Sequence, residues 1–148
     1  MIIRPASAAD AGIVAGFVDA LLVELSGAPS RPEARLRMAA ELLAGDDRVF
    51  GFLAFAGEAP VGVIMLAESV AIYAGGAFGV ITELYVVPEQ RSAGVAKRLV
   101  AAALDFGRSR SWGRVEVGAP HQPAWERSFR FYLREGFTEV GPRLKFLL

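Results

Sequence analysis

Residues 81–100, ITELYVVPEQRSAGVAKRLV, constrain the fold most, because their apolar period changes once along the stretch. The first half is rich in β-branched and aromatic residues and runs into Pro88, which has no N–H to donate to a sheet. In the second half, apolar residues such as Val95 and Leu99 recur at helical spacing. The stretch therefore predicts a buried strand that stops at Pro88, a short turn, and an amphipathic helix that opens between Ser92 and Val95.

The turn before this helix contains residues 91–96, RSAGVA, most of which are small. Small residues let a ligand approach the backbone, and N–H groups without a partner at the start of a helix favour a bound anion. The turn therefore predicts an anion site. The alternative is a helix entry that uses Gly94 only for close packing.

Strand-like segments surround the central strand. Residues 49–56 and 61–72 precede it, with a turn at 57–60 between them and a flexible loop at 73–79 after them. Three successive strands without a helix between them predict antiparallel pairing, and the strand-to-helix crossover that follows makes the sheet mixed. The expected sheet is mostly antiparallel and has about six or seven strands, at residues 2–4, 49–56, 61–72, 81–87, 115–117, 137–140 and 144–148.

About four helices are expected to flank this sheet. Two precede the strand at 49–56 and begin at the capping patterns Ser7-x-x-Asp10 and Ser30-x-x-Glu33. The third follows the turn at 91–96, and the fourth begins near Pro123. At 148 residues, the chain is expected to form one α/β (α+β) domain over 1–148.

The composition narrows the classes of partner and chemistry. Sixteen basic and sixteen acidic residues balance, which predicts no general attraction to nucleic acid or to an anionic membrane. The chain has no Cys and one His, so it has no thiolate for catalysis or metal binding, and we expect no metal and a cytoplasmic location. No run approaches the roughly 20 apolar residues that span a bilayer. The high apolar content, 53%, favours a homodimer interface instead, together with the apolar residues 144–148.

Two motifs resemble those of the GNAT superfamily of N-acetyltransferases. Arg91, Gly94 and Ala96 fill the defined places of its acetyl-CoA-binding pattern, R/Q-x-x-G-x-G/A. Residues 131–137, FYLREGF, resemble the family's F-Y-x-x-x-G-F, in the expected order after the first motif. The sequence departs from the family at Trp125, where an Asn that contacts the cofactor commonly stands. The resemblance implies a GNAT-like fold.

The resemblance also implies acetyl-CoA as the cosubstrate and a set of residues that hold it. The backbone of Leu84, Tyr85 and Val86 would bind the pantetheine arm, in a central strand that family structures splay at this point. A freed N–H there would polarise the acetyl carbonyl. The pyrophosphate would lie on the turn and the first helical residues, with charge from Arg91 or Lys97. The implied contacts come from Arg91, Ser92, Ala93, Gly94, Val95, Ala96 and Lys97.

The chemistry itself needs an acid and a base but no enzyme nucleophile, because an amine attacks a thioester directly. Tyr132 is the candidate acid, since a phenol with a pKa of about 10 keeps its proton at neutral pH. Its alternative is an aromatic core residue. Glu83 is the candidate base, because a carboxylate in an apolar strand needs a task or a partner, and pairing with an arginine is equally open. A water or His121 is the other candidate for the base.

The acceptor is the least determined part of the hypothesis. The leading interpretation is acetyl transfer to a primary amine of a small molecule, and the alternative acceptor is a protein or peptide N-terminus or lysine. A non-catalytic acyl-CoA-binding module is a different class, which would bind CoA without turnover. A nucleotide-binding protein is disfavoured because the turn lacks G-K-[ST]. Basic residues of the second helix, which the resemblance sets beside the acceptor, would meet an acidic acceptor or face solvent: Arg31, Arg35 and Arg37.

Overall fold

A computed structural model of the chain describes residues 1–119 and 125–148, in two compact units, Met1–Glu116 and Val117–Leu148. The described residues form a mixed α/β fold with four α-helices and a five-stranded, mostly antiparallel sheet. None of the described helices is long and apolar enough to cross a bilayer. The helices are α1 (Ala11–Ser26), α2 (Pro32–Gly45), α3 (Val95–Ser109) and α4 (Glu126–Arg134), and the strands are β1 (Ile2–Pro5), β2 (Val49–Ala56), β3 (Ala59–Ala71), β4 (Gly76–Val86) and β5 (Val115–Val117).

The strands follow one another across the sheet in chain order, β1-β2-β3-β4-β5. The first three pairings are antiparallel. Two of them, β2 with β3 and β3 with β4, confirm the prediction from the uninterrupted run of strands. Helix α3 then connects β4 to its neighbour β5. The predicted loop at 73–79 is shorter than expected, since β4 already begins at Gly76.

Successive residues of a strand face opposite sides of the sheet, and this alternation separates two apolar layers. On one side Val63 and Met65 of β3 join a core cluster with Val14 of α1. On the other side Val95 and Leu99 of α3 are fully buried and lie against Gly62 of β3. The sheet thus carries α1 on one face and the start of α3 on the other, at the height of the predicted cofactor turn.

The prediction of six or seven strands is wrong, because residues 137–148 form no strand in the described chain. Their apolar pattern was expected to form strands at 137–140 and 144–148. A strand also needs a partner for its N–H and C=O groups, and no sheet pairing involves these residues. Leu144 and Phe146 accordingly stay 94% and 86% exposed.

Two capping predictions have different outcomes. The Ser7 N–H donates to Asp10 Oδ2 at 2.8 Å, which confirms the first capping box. The second is wrong, because the Ser30 hydroxyl donates to Asp19 of α1 and Arg31 takes the position before α2. The Arg31 N–H also donates to Asp19 Oδ1, at 2.7 Å. A carboxylate on a neighbouring helix thus replaces the expected local cap and joins α1 to the start of α2.

Candidate active site

A β-bulge at Thr82 interrupts β4 at the centre of the candidate site. Met65 of β3 pairs with Glu83, whereas the next residue, Leu66, pairs with Ile81, so Thr82 has no counterpart. Without the extra residue, Ile81 and Glu83 would share a face of the sheet. The bulge instead buries Ile81 beside Leu66 and turns Glu83 to the face that carries Tyr85.

Glu83 is half-buried on that face, and the Thr82 hydroxyl donates a hydrogen bond to its Oε2. Burial raises the pKa of Glu83, and the Thr82 hydrogen bond opposes this shift. No arginine or lysine of the described residues forms an ion pair with this carboxylate. The sequence left two roles open for Glu83, a base or the partner of an arginine. The second role is not seen among the described contacts. A carboxylate with a raised pKa is also a stronger base once it is ionised.

The end of β4 pairs with β3 and packs against α1. Leu84 pairs with Ile64, Tyr85 with Val63, and Val86 with Gly62. The Tyr85 ring lies 5.7 Å from the Phe17 ring of α1, between centroids.

Arg91 connects this strand end to α1. Its Nε donates to the Val86 carbonyl at 2.9 Å, and its two terminal nitrogens donate to the Glu24 carboxylate at 2.9 and 3.2 Å. Its guanidinium also lies 5.4 Å from the Tyr85 ring centroid. Because Glu24 already neutralises Arg91 and Arg91 occupies the Val86 carbonyl, this side chain stabilises the turn. Lys97 is exposed on the first turn of α3 and makes no ion pair among the described residues.

The turn that opens α3 presents backbone N–H groups to an open surface. Ser92 and Gly94 both have left-handed backbones, with φ of 66° and 84°. The first hydrogen bond of α3 runs from Arg98 N to Gly94 O at 3.1 Å, so the preceding N–H groups have no acceptor within the helix. A Cβ built on Gly94 would meet no atom within 4 Å. The open, N–H-lined turn therefore fits a diphosphate.

Gly62 lets α3 approach the sheet at this place. A Cβ on Gly62 would lie 3.0 Å from the Tyr85 carbonyl oxygen, 3.1 Å from Leu99 Cδ1 and 3.2 Å from Val95 Cγ1. These distances are shorter than ordinary van der Waals contact. The absence of a side chain at residue 62 thus fixes the distance between β4 and the first residue of α3.

Tyr132 lies in the second unit, on α4. Its ring makes edge contacts with Phe131 and Phe137, at centroid distances of 5.2 and 5.5 Å, and it is 9% exposed. Gly136 ends the helix with a φ of 98°, and Phe137 N donates to Tyr132 O at 3.0 Å, which turns Phe137 back onto the ring. Burial raises the pKa of Tyr132 to about 12. No hydrogen bond to its hydroxyl occurs within the described chain.

The other residues that the sequence singled out contribute less to the candidate site. His121 lies outside the described residues, and Trp125 directly precedes α4. Arg35 lies 3.9 Å from Asp19 Oδ1, whereas Arg31 and Arg37 line a surface cavity at the start of α2. No group of three or more possible metal ligands occurs among residues 1–119 and 125–148.

Three residues of the site were missed in the sequence. Gly62 had a usable signal, because a glycine inside a strand indicates close approach of another group. Thr82 had none, since a bulge depends on how the partner strand pairs. Glu24 had none either, because it lies 67 residues before Arg91 in the chain.

Several solved structures have a similar fold. The ribosomal-protein-alanine N-acetyltransferase of Brucella melitensis biovar Abortus 2308 is 21% identical, with a TM-score of 0.78, over 100% of both chains. A GCN5-related N-acetyltransferase of Ralstonia eutropha JMP134 is 21% identical, with a TM-score of 0.82, over 99% of this chain and 97% of that one. An aminoglycoside acetyltransferase from an uncultured soil metagenomic sample is 18% identical, with a TM-score of 0.76, over 99% and 97%.

These likenesses show the fold, and the family follows from the sequence. No curated protein matches the chain. The model of the acetyltransferase (GNAT) family matches residues 16–137, which include the bulged strand, the turn before α3 and the aromatic end of α4. The chain therefore belongs to the GNAT family of acetyltransferases.

Proposed function

We propose that this protein transfers an acetyl group from acetyl-CoA to a primary amine of a small molecule. The observation that carries the proposal is the open turn before α3, which lies in the connection between α3 and the bulged strand that carries Glu83. The open turn suits a diphosphate, and Glu83 suits a proton acceptor. This chain would therefore have the groups that the acetyl transfer of its family needs.

The cofactor would be held mainly by backbone. The N–H groups of Val95, Ala96 and Lys97 would bind the diphosphate, and the Lys97 ammonium would add charge. The pantetheine arm would lie along the backbone of residues 84–86. Since Arg91 already binds Glu24 and the Val86 carbonyl, we assign it to holding the turn in shape.

Acetyl-CoA supplies an activated acetyl group as a thioester. The amine nitrogen forms a bond to the acetyl carbon, and the carbon–sulfur bond breaks with its electron pair on sulfur. The nitrogen loses one proton and the leaving thiolate afterwards gains one, so the products are an amide and the free thiol of CoA. Glu83 would take the proton that the amine nitrogen loses, directly or through a water. Its raised pKa suits this task, because a base is most effective when its pKa lies near the working pH.

Tyr132 would donate a hydrogen bond to the leaving sulfur. With its pKa at about 12, the hydroxyl keeps its proton throughout the physiological range. Full transfer to a thiolate whose conjugate acid has a pKa of about 8.5 is uphill by roughly 5 kcal/mol. The raised pKa thus supports a hydrogen-bond donor that stabilises developing charge on sulfur over an acid that gives up its proton early.

The substitution Tyr132→Phe tests this role. Phe keeps the ring contacts with Phe131 and Phe137 and removes only the hydroxyl. We expect nearly unchanged acetyl-CoA affinity by calorimetry and a rate of CoA release lower by roughly 10²-fold at saturating cofactor.

The matched control is Tyr73→Phe, which removes a hydroxyl that donates to Glu116 at 3.2 Å. It should leave the rate unchanged. A Tyr132→Phe enzyme as fast as the parent would show that Tyr132 only packs. CoA binding without turnover, with every amine tried, would instead favour the binding module.

The acceptor must be found by a screen that follows CoA release. Two structures of similar fold are named for a ribosomal protein and for an aminoglycoside, both of which present amines. This agrees with an amine acceptor and leaves protein or peptide amines as the alternative to small molecules. The apolar content of 53% supports a homodimer as part of the proposal, and a cytoplasmic location stays a prediction from the sequence.

A further inference from the structure

The hydrogen bond between Thr82 and Glu83 joins two side chains that are adjacent in the sequence. In a regular strand, successive side chains point to opposite faces of the sheet, so such neighbours do not contact each other. The bulge removes this separation, because Thr82 is the extra residue between the pairs Met65–Glu83 and Leu66–Ile81. The bulge therefore sets the face of Glu83 and also gives its carboxylate a hydroxyl donor.

This contact distinguishes the two oxygens of the Glu83 carboxylate. Oε2 accepts the hydrogen bond from the Thr82 hydroxyl, whereas Oε1 accepts none from residues 1–119 and 125–148. A hydrogen bond on one oxygen restricts rotation of the carboxylate about its last side-chain bond, and this orients the other oxygen. An ionised carboxylate can accept on both oxygens, so Oε1 keeps its capacity to take a proton.

The charged groups of the elements around β4 do not shift the pKa of Glu83. Burial raises this pKa and the Thr82 hydrogen bond lowers it, and no charge among the described residues is a further cause. The two carboxylates of α1, which packs on the face of Glu83, are already bound to other groups, and α3 packs on the opposite face. The charged groups on α1, β3, α3 and β5 are Asp19, Glu24, Glu68, Lys97, Arg98, Asp105, Arg108 and Glu116.

We propose that Thr82 is a positioning residue for the base: its hydroxyl binds Oε2 of Glu83 and leaves Oε1 to accept the proton of the attacking amine. The inference rests on the proposed function, in which Glu83 is that base. As an O–H bond forms at Oε1, the N–H bond breaks, its electron pair stays on nitrogen, and the neutral Glu83 later returns the proton to solvent. Thr82 also keeps the base ionised, because a hydrogen bond to the charged form favours that form.

The substitution Thr82→Val tests this role, because valine keeps the β-branched shape that suits a strand and replaces only the hydroxyl by a methyl group. Burial then acts on Glu83 without opposition, so the pKa of Glu83 rises further and the ionised base is lost at a higher pH. The rate of CoA release should begin its fall at a higher pH than in the parent. On the high-pH side, where the base is ionised in both proteins, the rate should stay roughly 3–10-fold lower.

Two further variants control this experiment. Thr82→Ser keeps a hydroxyl and should restore most of the rate and of the pH–rate profile. The chain contains the same dipeptide once more, at Thr138-Glu139, where no hydrogen bond joins the two side chains among the described residues. Thr138→Val therefore makes the same chemical change away from the base and should behave like the parent. One acceptor at saturation serves for all four proteins, so the titration of the amine itself is common to them.

Carbon-13 NMR titration of the glutamate carboxyl groups measures the pKa of Glu83 without any turnover. The Glu83 signal is identified by its loss in Glu83→Gln. The pKa should be higher in Thr82→Val than in the parent and should return toward the parent value in Thr82→Ser. An unchanged pKa in Thr82→Val overturns the proposal, because Thr82 then does not hold the carboxylate.

The combined results separate three other failures, each of which also overturns the proposal. If the pKa of Glu83 rises in Thr82→Val while the pH–rate profile stays the same, the contact exists but Glu83 is not the base. If the rate falls, the profile stays the same and Thr82→Ser restores nothing, Thr82 has only a structural role. If the parent releases CoA with none of the amines tried, the acetyl transfer itself is refuted, whatever the NMR titration shows of the contact.

Discussion

The substitution Gly62→Ala separates the packing of α3 from the chemistry of the site. A Cβ at residue 62 would lie 3.0 Å from the Tyr85 carbonyl oxygen and 3.1 Å from Leu99 Cδ1, so β4 and α3 must each move by a few tenths of an ångström. Overpacking of this kind costs roughly 1–3 kcal/mol. Alanine also lowers the entropy of the unfolded chain relative to glycine, which stabilises the folded protein by about 0.4–1 kcal/mol. The two ranges combine to a net loss of about 0–2.6 kcal/mol, with a central value of about 1.3 kcal/mol.

A loss of this size is measurable in two ways. At roughly 2–4 °C per kcal/mol for a chain of this length, the central loss should lower the midpoint of thermal unfolding, measured by circular dichroism, by about 3–5 °C. Since the start of α3 moves relative to β4, the affinity for CoA by calorimetry should also fall, by about 3–10-fold. Catalysis by Glu83 is not touched directly.

The matched control is Gly12→Ala in α1. Its Cβ would meet no atom within 4 Å, and alanine is favoured over glycine inside a helix by up to about 1 kcal/mol. This variant should unfold at a slightly higher temperature and bind CoA like the parent. If Gly62→Ala unfolds and binds like the parent, the close approach of β4 and α3 is not limiting. If only its unfolding temperature falls, the packing is correct but does not position the cofactor turn.

Three further changes test separate parts of the molecule. Gly94→Glu puts a carboxylate where the diphosphate is proposed to lie, so CoA binding, measured by calorimetry, should be lost. The control Gly94→Ala is strained by the same φ of 84° but is uncharged, and it should keep most of the CoA affinity. If Glu83 is the base, the parent rate falls as the pH drops through the raised pKa of Glu83. Glu83→Gln should then lower the rate roughly 10²-fold and remove this fall at low pH. An unchanged pH–rate profile refutes the role. Hydrogen bonds from Arg4 lower the pKa of Asp10 to about 2. Asp10→Asn should therefore lower the free energy of unfolding by about 1–2 kcal/mol at neutral pH. This figure is discounted for solvent screening, because Arg4 is partly exposed. The stability from a lowered pKa is present above the unfolded pKa and lost as pH falls, so denaturant titrations of the two proteins should converge between about pH 4 and about pH 2.

The sequence by itself determined the elements whose signals are local. The change of apolar period at Pro88 predicted a strand, a turn and a helix, and the structure has β4 ending at Val86 and α3 beginning at Val95. The antiparallel run of strands and the Ser7 capping box were also predicted, since short turns join the successive strands and the capping box joins residues three places apart.

Tertiary structure decided everything that depends on a partner distant in sequence. Thr82 bulges because of the register that β3 imposes, and only this bulge turns Glu83 away from the face of Ile81. Arg91 binds Glu24, and Ser30 binds Asp19, although nothing in the neighbouring sequence indicates either contact.

The same reason explains the strands that were predicted but do not form at residues 137–148. An apolar pattern shows that a segment is suited to a strand, yet a strand is stable only when a second backbone satisfies its hydrogen bonds. In the described chain these residues make no such pairing. Local periodicity is written in consecutive residues, whereas pairing is a property of two segments, and it is set by where the folded chain, or a second copy of it, brings them together.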